Sequence, residues 1–172
     1  MEPQREPPSY QFETKPHVLI VESRFYADIA DQLLKGATAE LDRAGASHEV
    51  LTVPGAFEIP AGIMYAIKTL DFDPARKRYD GYVALGCVLE GETKHDEIVG
   101  RESARGLQDV ILRYALAAGN GILTCATREQ ALERADPARM NRGGAAAEAA
   151  LRMIEIKQRL RLSPKKRWIA RG

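Results

Sequence analysis

A polar loop that opens a long predicted helix carries the histidine best placed for chemistry. Gly91, Glu92, Thr93 and Lys94 form this loop, and His95 follows at the first position of the helix. Backbone N–H groups and the positive end of the helix dipole favour an anion at such a place. The same field favours a neutral imidazole, which could accept a proton. His95 is therefore a candidate general base beside an anion pocket, and a structural or solvated histidine is the alternative.

Three further side chains lie at or near the ends of predicted elements and could bind a small molecule. Phe25 could stack on a flat heterocycle or pack as a staple onto the next helix. Glu58 could accept hydrogen bonds from sugar hydroxyls or serve as a charge at a helix start. Arg134 could pair with a phosphate or lie on the surface. Together these residue types suit an enzyme acting on a phosphorylated small molecule, but they do not name the reaction.

Strands and helices alternate along the chain and position these residues. Short apolar runs predict strands over 17–22, 47–53, 81–88 and 120–125. Apolar spacings of three and four predict helices over 27–44, 58–70, 95–118, 127–135 and 143–162. This order predicts a parallel sheet with helices on both faces, and ligands bind outside the carboxyl ends of such strands. Thr127 and Gln130 have the spacing of a capping box at the fourth helix.

Length, charge and cysteine content bound the class of protein. The chain has 172 residues, which suit one domain over residues 17–162, between an extended proline-bearing arm (1–16) and a basic tail (163–172). Its 25 basic and 24 acidic residues give no electrostatic reason to bind nucleic acid or an anionic membrane. Cys87 and Cys125 lack CxxC partners, so we expect two buried thiols and neither a zinc site nor a disulfide framework.

The apolar segments are too short for secretion or membrane insertion. No apolar run approaches the roughly 20 residues that a membrane helix needs, and the first 16 residues lack the apolar core of a secretory signal. A cytoplasmic protein is therefore expected.

Three segments resemble the lumazine synthase family. They are VPGAFEIP (53–60), ALGCVLEGETKH (84–95) and GILTCATREQALER (121–134). The Arg24–Phe25 pair and residues 141–143 also fall where the family pattern expects them. The resemblance implies a three-layer α/β/α fold with a four-stranded parallel sheet in the flavodoxin-like order 2-1-3-4.

The resemblance also implies an activity. Members condense 5-amino-6-(D-ribitylamino)uracil with 3,4-dihydroxy-2-butanone 4-phosphate to 6,7-dimethyl-8-ribityllumazine and release phosphate and water, in the penultimate step of riboflavin biosynthesis. Neither a metal nor an organic cofactor is implied. A homopentamer is implied, free or closed into a shell, with each site between neighbouring subunits and with no nucleic acid or membrane partner.

Individual roles follow from the same resemblance. His95 would move protons. Residues for the pyrimidine and ribityl chain would be Phe25, Ala56, Phe57, Glu58, Cys87, Val88, Leu89 and Asn120. Residues for the sugar phosphate would be Glu92, Thr93, Arg134 and Arg142, with Arg134 reaching in from the next subunit. The proline-bearing arm is expected to pack on a neighbouring subunit.

Two departures from the family pattern leave other functions open. Asn120 stands where an aromatic residue is common, and Glu90 stands where arginine is often found. The first alternative is a catalytically weak relative that binds a lumazine or flavin, or only scaffolds an assembly. It predicts changes in ligand fluorescence without product. The second is a flavodoxin-like module that binds flavin mononucleotide and has no use for Arg134.

Overall fold

The residues described by the computed structural model of the chain, 7–76 and 78–162, are built around a sheet of four parallel strands. The strands are β1 (His17–Ser23), β2 (Ser47–Val53), β3 (Gly81–Leu89) and β4 (Ala118–Cys125). Their order in the sheet is β2-β1-β3-β4, and all three neighbouring pairs are parallel. The predicted order 2-1-3-4 is thereby confirmed.

Five helices cover the two faces of this sheet. They are α1 (Ala27–Arg43), α2 (Ile59–Phe72), α3 (His95–Tyr114), α4 (Arg128–Ala135) and α5 (Arg142–Arg159), with a short 3₁₀ turn over Ala56–Glu58 before α2. Helices α1, α4 and α5 pack on one face, whereas α2 and α3 pack on the other. This arrangement confirms the predicted three-layer α/β/α fold.

Strand β1 shows why its sequence is apolar without alternation. Val18 and Ile20 belong to the core under α1 and α5, whereas Leu19 and Val21 belong to the core under α2. Burying each such side chain contributes about 1.5–3 kcal/mol relative to leaving it exposed. Because both faces of the strand are covered, both sets of side chains are apolar.

The boundaries of α3 and β4 differ from the predicted ones. Helix α3 ends at Tyr114, not at residue 118, because Ala115 adopts a left-handed conformation with φ of 49° and ends the helix. Alanine seldom takes this conformation, so its residue type gave no warning. Strand β4 then begins at Ala118, two residues before its predicted start.

The other helix ends are closer to prediction, with two corrections. Helix α2 extends to Phe72, two residues beyond its predicted end at residue 70. At α4 the Thr127 hydroxyl accepts a hydrogen bond from the Gln130 N–H at 3.2 Å, as predicted. The Gln130 side chain, however, accepts from the N–H of Ala126, one residue before the expected partner.

Helix α5 lies unusually close to its neighbours at two glycines. A Cβ at Gly119 would lie 1.8 Å from the carbonyl oxygen of Ala146, and one at Gly143 would lie 2.0 Å from the carbonyl oxygen of Leu33. Only glycine therefore permits these approaches of α5 to β4 and to α1. They fix the start of α5, where Arg142 lies.

The described part of the arm, residues 7–16, packs on its own chain. The Tyr10 hydroxyl donates to the Glu40 carboxylate on α1, and the Gln11 N–H donates to the Glu155 carboxylate on α5 at 2.8 Å. The Arg152 guanidinium lies 5.0 Å from the centre of the Tyr10 ring. These contacts join the arm to α1 and α5 of the same chain, which offer it carboxylates and a cation.

The predicted basic tail, 163–172, lies outside the described residues. Among the helices that are described, none combines the length and the apolar content needed to cross a bilayer.

Candidate active site

A cleft of about 550 Å³ opens at the carboxyl edge of the sheet and collects most of the predicted site residues. It lies between the ends of β1 and β3, the 3₁₀ turn before α2 and the first turn of α3. We call it the ring cleft. The predicted site residues that line it are Phe25, Ala56, Phe57, Glu58, Cys87, Val88, Leu89, Thr93 and His95.

The ring cleft has a buried apolar floor and exposed aromatic side chains. Ala56, Cys87 and Val88 are buried, whereas Phe25 is 73% exposed and Phe57 is 53% exposed. Exposed aromatic rings over an apolar floor suit a flat heterocycle, since stacking adds about 0.5–1.5 kcal/mol beyond the burial of surface. The cleft can therefore take a planar ring.

A buried carboxylate fixes the chain immediately before Phe25. Glu22 is 3% exposed at the end of β1, where it accepts hydrogen bonds from Arg24 Nη1 at 3.3 Å and from Thr52 Oγ1 at 3.1 Å. Arg24 also donates to Asp31 on α1, and this bond raises the pKa of its guanidinium. Glu22 was not among the predicted site residues, although an acidic residue that ends an otherwise apolar predicted strand was an available signal.

Glu58 ends the 3₁₀ turn and lies at the start of α2. Its Oε2 atom would lie 2.9 Å from a Cβ at Gly55, so the carboxylate folds back over the backbone of that glycine. The side chain is exposed and lines the ring cleft. It can accept hydrogen bonds from the hydroxyl groups of a ligand that enters the cleft.

A second cleft of about 530 Å³, the outer cleft, adjoins the first at the carboxyl ends of β3 and β4. The two clefts share Val88, Gly91, Thr93 and Asp96. The charged residues that line the outer cleft are Glu90, Glu92, Lys94, Asp96 and Glu97. In one chain the outer cleft is therefore predominantly acidic. Within residues 7–76 and 78–162 no group of acidic residues, histidines or cysteines is arranged to hold a metal ion.

The start of α3 lies where the two clefts meet. Lys94 is the N-cap residue and makes no capping hydrogen bond through its side chain. The His95 N–H donates a long hydrogen bond of 3.4 Å to Thr93 Oγ1. Most N–H groups of the first helical turn therefore remain available to an anion. The His95 side chain is exposed and lines the ring cleft, so its imidazole can exchange protons with a bound ligand.

Three predicted residues lie apart from the clefts in the single chain. Arg134 is in the last turn of α4, where its Nη1 donates to the Gln130 carbonyl at 3.3 Å, and Arg142 is exposed at the start of α5. Asn120 is exposed within β4, and its Oδ1 accepts from the Ile122 N–H at 2.9 Å. In the described part of the chain neither cleft is lined by these three residues.

Both cysteines are buried free thiols, as the sequence predicts. Burial raises the pKa of Cys87 to about 12 and also raises that of Cys125, which the positive charge of Arg134 partly offsets. A thiol with a raised pKa stays protonated and is a poor nucleophile. Cys87 therefore contributes apolar surface to the ring cleft.

Comparison with known proteins identifies the family. The family model of 6,7-dimethyl-8-ribityllumazine synthase matches residues 15–158. A 6,7-dimethyl-8-ribityllumazine synthase 1 of Rhodopseudomonas palustris is 57% identical over 143 residues, which cover 83% of this chain and 86% of that protein. A 6,7-dimethyl-8-ribityllumazine synthase of Bartonella tribocorum is 56% identical over 145 residues (84% and 92%), and one of Paramagnetospirillum magneticum is 51% identical over 146 residues (85% and 97%). The matched region contains both clefts, and the chain belongs to the 6,7-dimethyl-8-ribityllumazine synthase family.

Proposed function

We propose that the chain condenses 5-amino-6-(D-ribitylamino)uracil with 3,4-dihydroxy-2-butanone 4-phosphate to form 6,7-dimethyl-8-ribityllumazine. The observation that carries this proposal is the ring cleft, which lies inside the family match and gathers Phe25, Glu58 and His95. These three supply a stacking surface, an acceptor for hydroxyl groups and a proton carrier, which are the groups that this reaction needs.

The ring cleft is the proposed site of the pyrimidine. Phe25 stacks on the ring, and Ala56, Phe57, Cys87, Val88 and Leu89 form the surrounding surface. Glu58 accepts hydrogen bonds from the ribityl hydroxyls. The buried floor excludes water from one face of the ring, which strengthens polar contacts made at its edge.

The sugar phosphate lies at the start of α3 in the outer cleft. Thr93 and the backbone at Glu92 meet the phosphate, and the open N–H groups of the first helical turn stabilise its negative charge. Arg134 and Arg142 come from the neighbouring subunit and pair with the phosphate. Asn120 of the same neighbour reaches the pyrimidine with an amide.

The reaction follows from this placement. The aromatic amine attacks the ketone, loss of water gives a Schiff base, phosphate leaves, and the second amine closes the ring with loss of another water. His95 carries protons between the attacking nitrogen and the departing oxygens. The protein otherwise supplies orientation and exclusion of water, and no step requires a metal or an organic cofactor.

The same site leads us to propose a homopentamer, either free or closed into a shell. Four large apolar side chains are exposed on α2 and α3, namely Tyr65, Phe72, Ile98 and Leu112, with Phe72 at 89%. An exposed patch of such side chains is usually covered by a partner. Neither Arg134 nor Arg142 lines the described clefts of its own chain, which also supports sites shared between subunits.

The cytoplasm is the proposed location. The two cysteines are both free thiols, as is usual for proteins in a reducing compartment.

An absorbance assay with both substrates tests the function. The wild-type chain should form the lumazine well above the spontaneous rate, and His95→Ala should lower kcat by about 100-fold, because a positioned proton carrier contributes a factor of this order. His48→Ala is the matched control, since His48 lies on β2 and does not line the described clefts. A wild-type rate no higher than the spontaneous one contradicts the proposal and leaves a relative that binds ligand or assembles without turnover.

A further inference from the structure

Phe25 is supported by the aromatic residue that follows it. The rings of Phe25 and Tyr26 meet edge to face, with centroids 5.1 Å apart and planes at 75°. Tyr26 is half-buried and is the N-cap residue of α1, and its carbonyl accepts the Ala30 N–H at 2.9 Å. Because its carbonyl is hydrogen-bonded to the first turn of α1, the backbone of Tyr26 is fixed, and its ring gives Phe25 a surface to pack on.

A cation from a distant part of the chain holds the ring of Tyr26. The guanidinium carbon of Arg128, the first residue of α4, lies 5.9 Å from the centre of that ring. The Nη2 atom of Arg128 also donates to Asp28 Oδ2 on α1 at 2.6 Å. A guanidinium at this distance is attracted to the ring face, and the ion pair fixes its position.

Tyr26 connects this group of side chains to the ring cleft. Tyr26 lines the cleft, whereas the cleft's described lining includes neither Asp28 nor Arg128. The charges of Arg128 and Asp28 both act on the buried Cys87 thiol in the cleft floor, with opposite effects on its pKa. Arg128 and Asp28 therefore lie near the cleft and reach it through Tyr26.

The ion pair between Asp28 and Arg128 contributes little to the stability of the fold. The side chains of Asp28 and Arg128 are each 47% exposed, and exposed ion pairs typically contribute about 0–1 kcal/mol. A merely structural pair would leave the affinity for each substrate unchanged. The contact of Arg128 with Tyr26, and of Tyr26 with Phe25, links the pair instead to the ring expected to stack on the pyrimidine.

We infer that Arg128, held by Asp28, is a positioning residue that fixes Tyr26 and thereby orients Phe25 for stacking on the pyrimidine. The inference rests on the proposed function, since it assigns a role within the same site. It adds a determinant of pyrimidine affinity that lies outside the cleft and 100 residues from Asp28 in sequence.

Kinetics with each substrate varied in turn test the inference. Arg128→Ala should raise KM for 5-amino-6-(D-ribitylamino)uracil about threefold, the size of a partly exposed cation–π contact, and should leave kcat and KM for the sugar phosphate unchanged. Arg128→Lys keeps a cation beside Asp28 and should restore most of the pyrimidine affinity. Tyr26→Leu, which removes the ring itself, should raise the same KM further.

Arg152→Ala is the matched control. Arg152 also lies over a tyrosine, Tyr10, and pairs with the carboxylates of Glu148 and Glu155, but it does so on the face that holds the arm. Its loss should leave KM for the pyrimidine at the wild-type value. An equal rise in both variants would show that losing such an arginine acts through general stability, and it would overturn the inference.

Direct binding separates this inference from the proposed function. Titration with 6,7-dimethyl-8-ribityllumazine, followed by its fluorescence, should give a Kd about threefold higher for Arg128→Ala than for the wild type. Product formation with a wild-type pyrimidine KM in Arg128→Ala overturns the inference and leaves the function standing. No product from the wild type, together with weaker lumazine binding by Arg128→Ala, overturns the function and supports the inference. A rise confined to KM for the sugar phosphate would assign the effect to a shift of Arg134 on the same helix, against the inference.

Discussion

The ring cleft and the outer cleft share several lining residues, yet a single chain provides more of the binding groups expected in the first than in the second. The ring cleft has its floor, its exposed aromatic side chains and the Glu58 carboxylate in place. The outer cleft, where a phosphate is proposed to bind, has the carboxylates of Glu90, Glu92, Asp96 and Glu97 against the single ammonium group of Lys94. On the proposed function, recognition of the pyrimidine would be largely local, whereas recognition of the phosphate would depend on charge brought from elsewhere.

The contrast gives a physical reason for the proposed placement of each site between subunits. The open N–H groups at the start of α3 favour an anion, but the surrounding carboxylates oppose it. Arginines from a neighbour would reverse that balance only after assembly. An isolated chain would then hold the ring but bind the sugar phosphate weakly.

Arg134→Ala is the variant expected to change binding in the outer cleft most. A charge-assisted hydrogen bond to a phosphate contributes about 1.5–3 kcal/mol, so kcat/KM for the sugar phosphate should fall by up to about 100-fold. KM for the pyrimidine should change little. Steady-state kinetics with each substrate varied in turn measure both quantities, and equal effects on the two would contradict the assignment.

Mixed assemblies show which subunit Arg134 serves. Co-assembled His95→Ala and Arg134→Ala chains contain sites that pair an intact His95 with an intact Arg134 only if the two residues come from different chains. Activity should therefore reappear on mixing. If no activity returns although the chains co-assemble, Arg134 acts in the site of its own chain.

Phe25→Ala should give the opposite pattern with a smaller effect. Loss of one stacking contact, on the order of 1 kcal/mol, should raise KM for the pyrimidine about fivefold and leave the sugar phosphate unaffected. Lumazine binding followed by fluorescence should weaken by the same factor. A change confined to the sugar phosphate would show that the two clefts are not separate in function.

The smallest expected effect is that of Glu90→Gln, which removes one of the opposing carboxylates from the outer cleft. KM for the sugar phosphate should fall about twofold at low ionic strength, because repulsion between exposed charges is weak and screened. The gain should vanish at high salt, which serves as the internal control. A loss of affinity instead would mean that Glu90 helps to hold the substrate.

The sequence predicts the strands, the helices and their layers because these features are encoded locally, whereas the order of the strands was implied by the family resemblance. Burial on both faces makes residues 18–21 of β1 uniformly apolar, and the amphipathic spacing within the helices marks the faces they bury. Phe25 and Glu58 were also found from sequence, since they stand at the ends of predicted elements. Their roles in binding remain predictions.

Features that depend on contacts distant in sequence could not be found in this way. The left-handed Ala115 that ends α3 has a residue type that gives no sign of it, and the ion pair of Asp28 with Arg128 joins two exposed surface residues. Asp28 and Arg128 read as ordinary charges at helix starts until the fold brings them together. The packing of the arm on α1 and α5 of its own chain was not predicted for the same reason, because it depends on how these two helices lie side by side.

The packing of the arm on α1 and α5 also determines where a label joined to the arm would lie. From the start of β1 the chain passes Gln158 and Glu155 on α5 and reaches Tyr10 beside Arg152, on the face of the sheet covered by α1 and α5. The ring cleft opens at the opposite edge of the sheet from the start of β1. A label joined to the described part of the arm would be displayed from the face covered by α1 and α5, away from the edge at which the ring cleft opens.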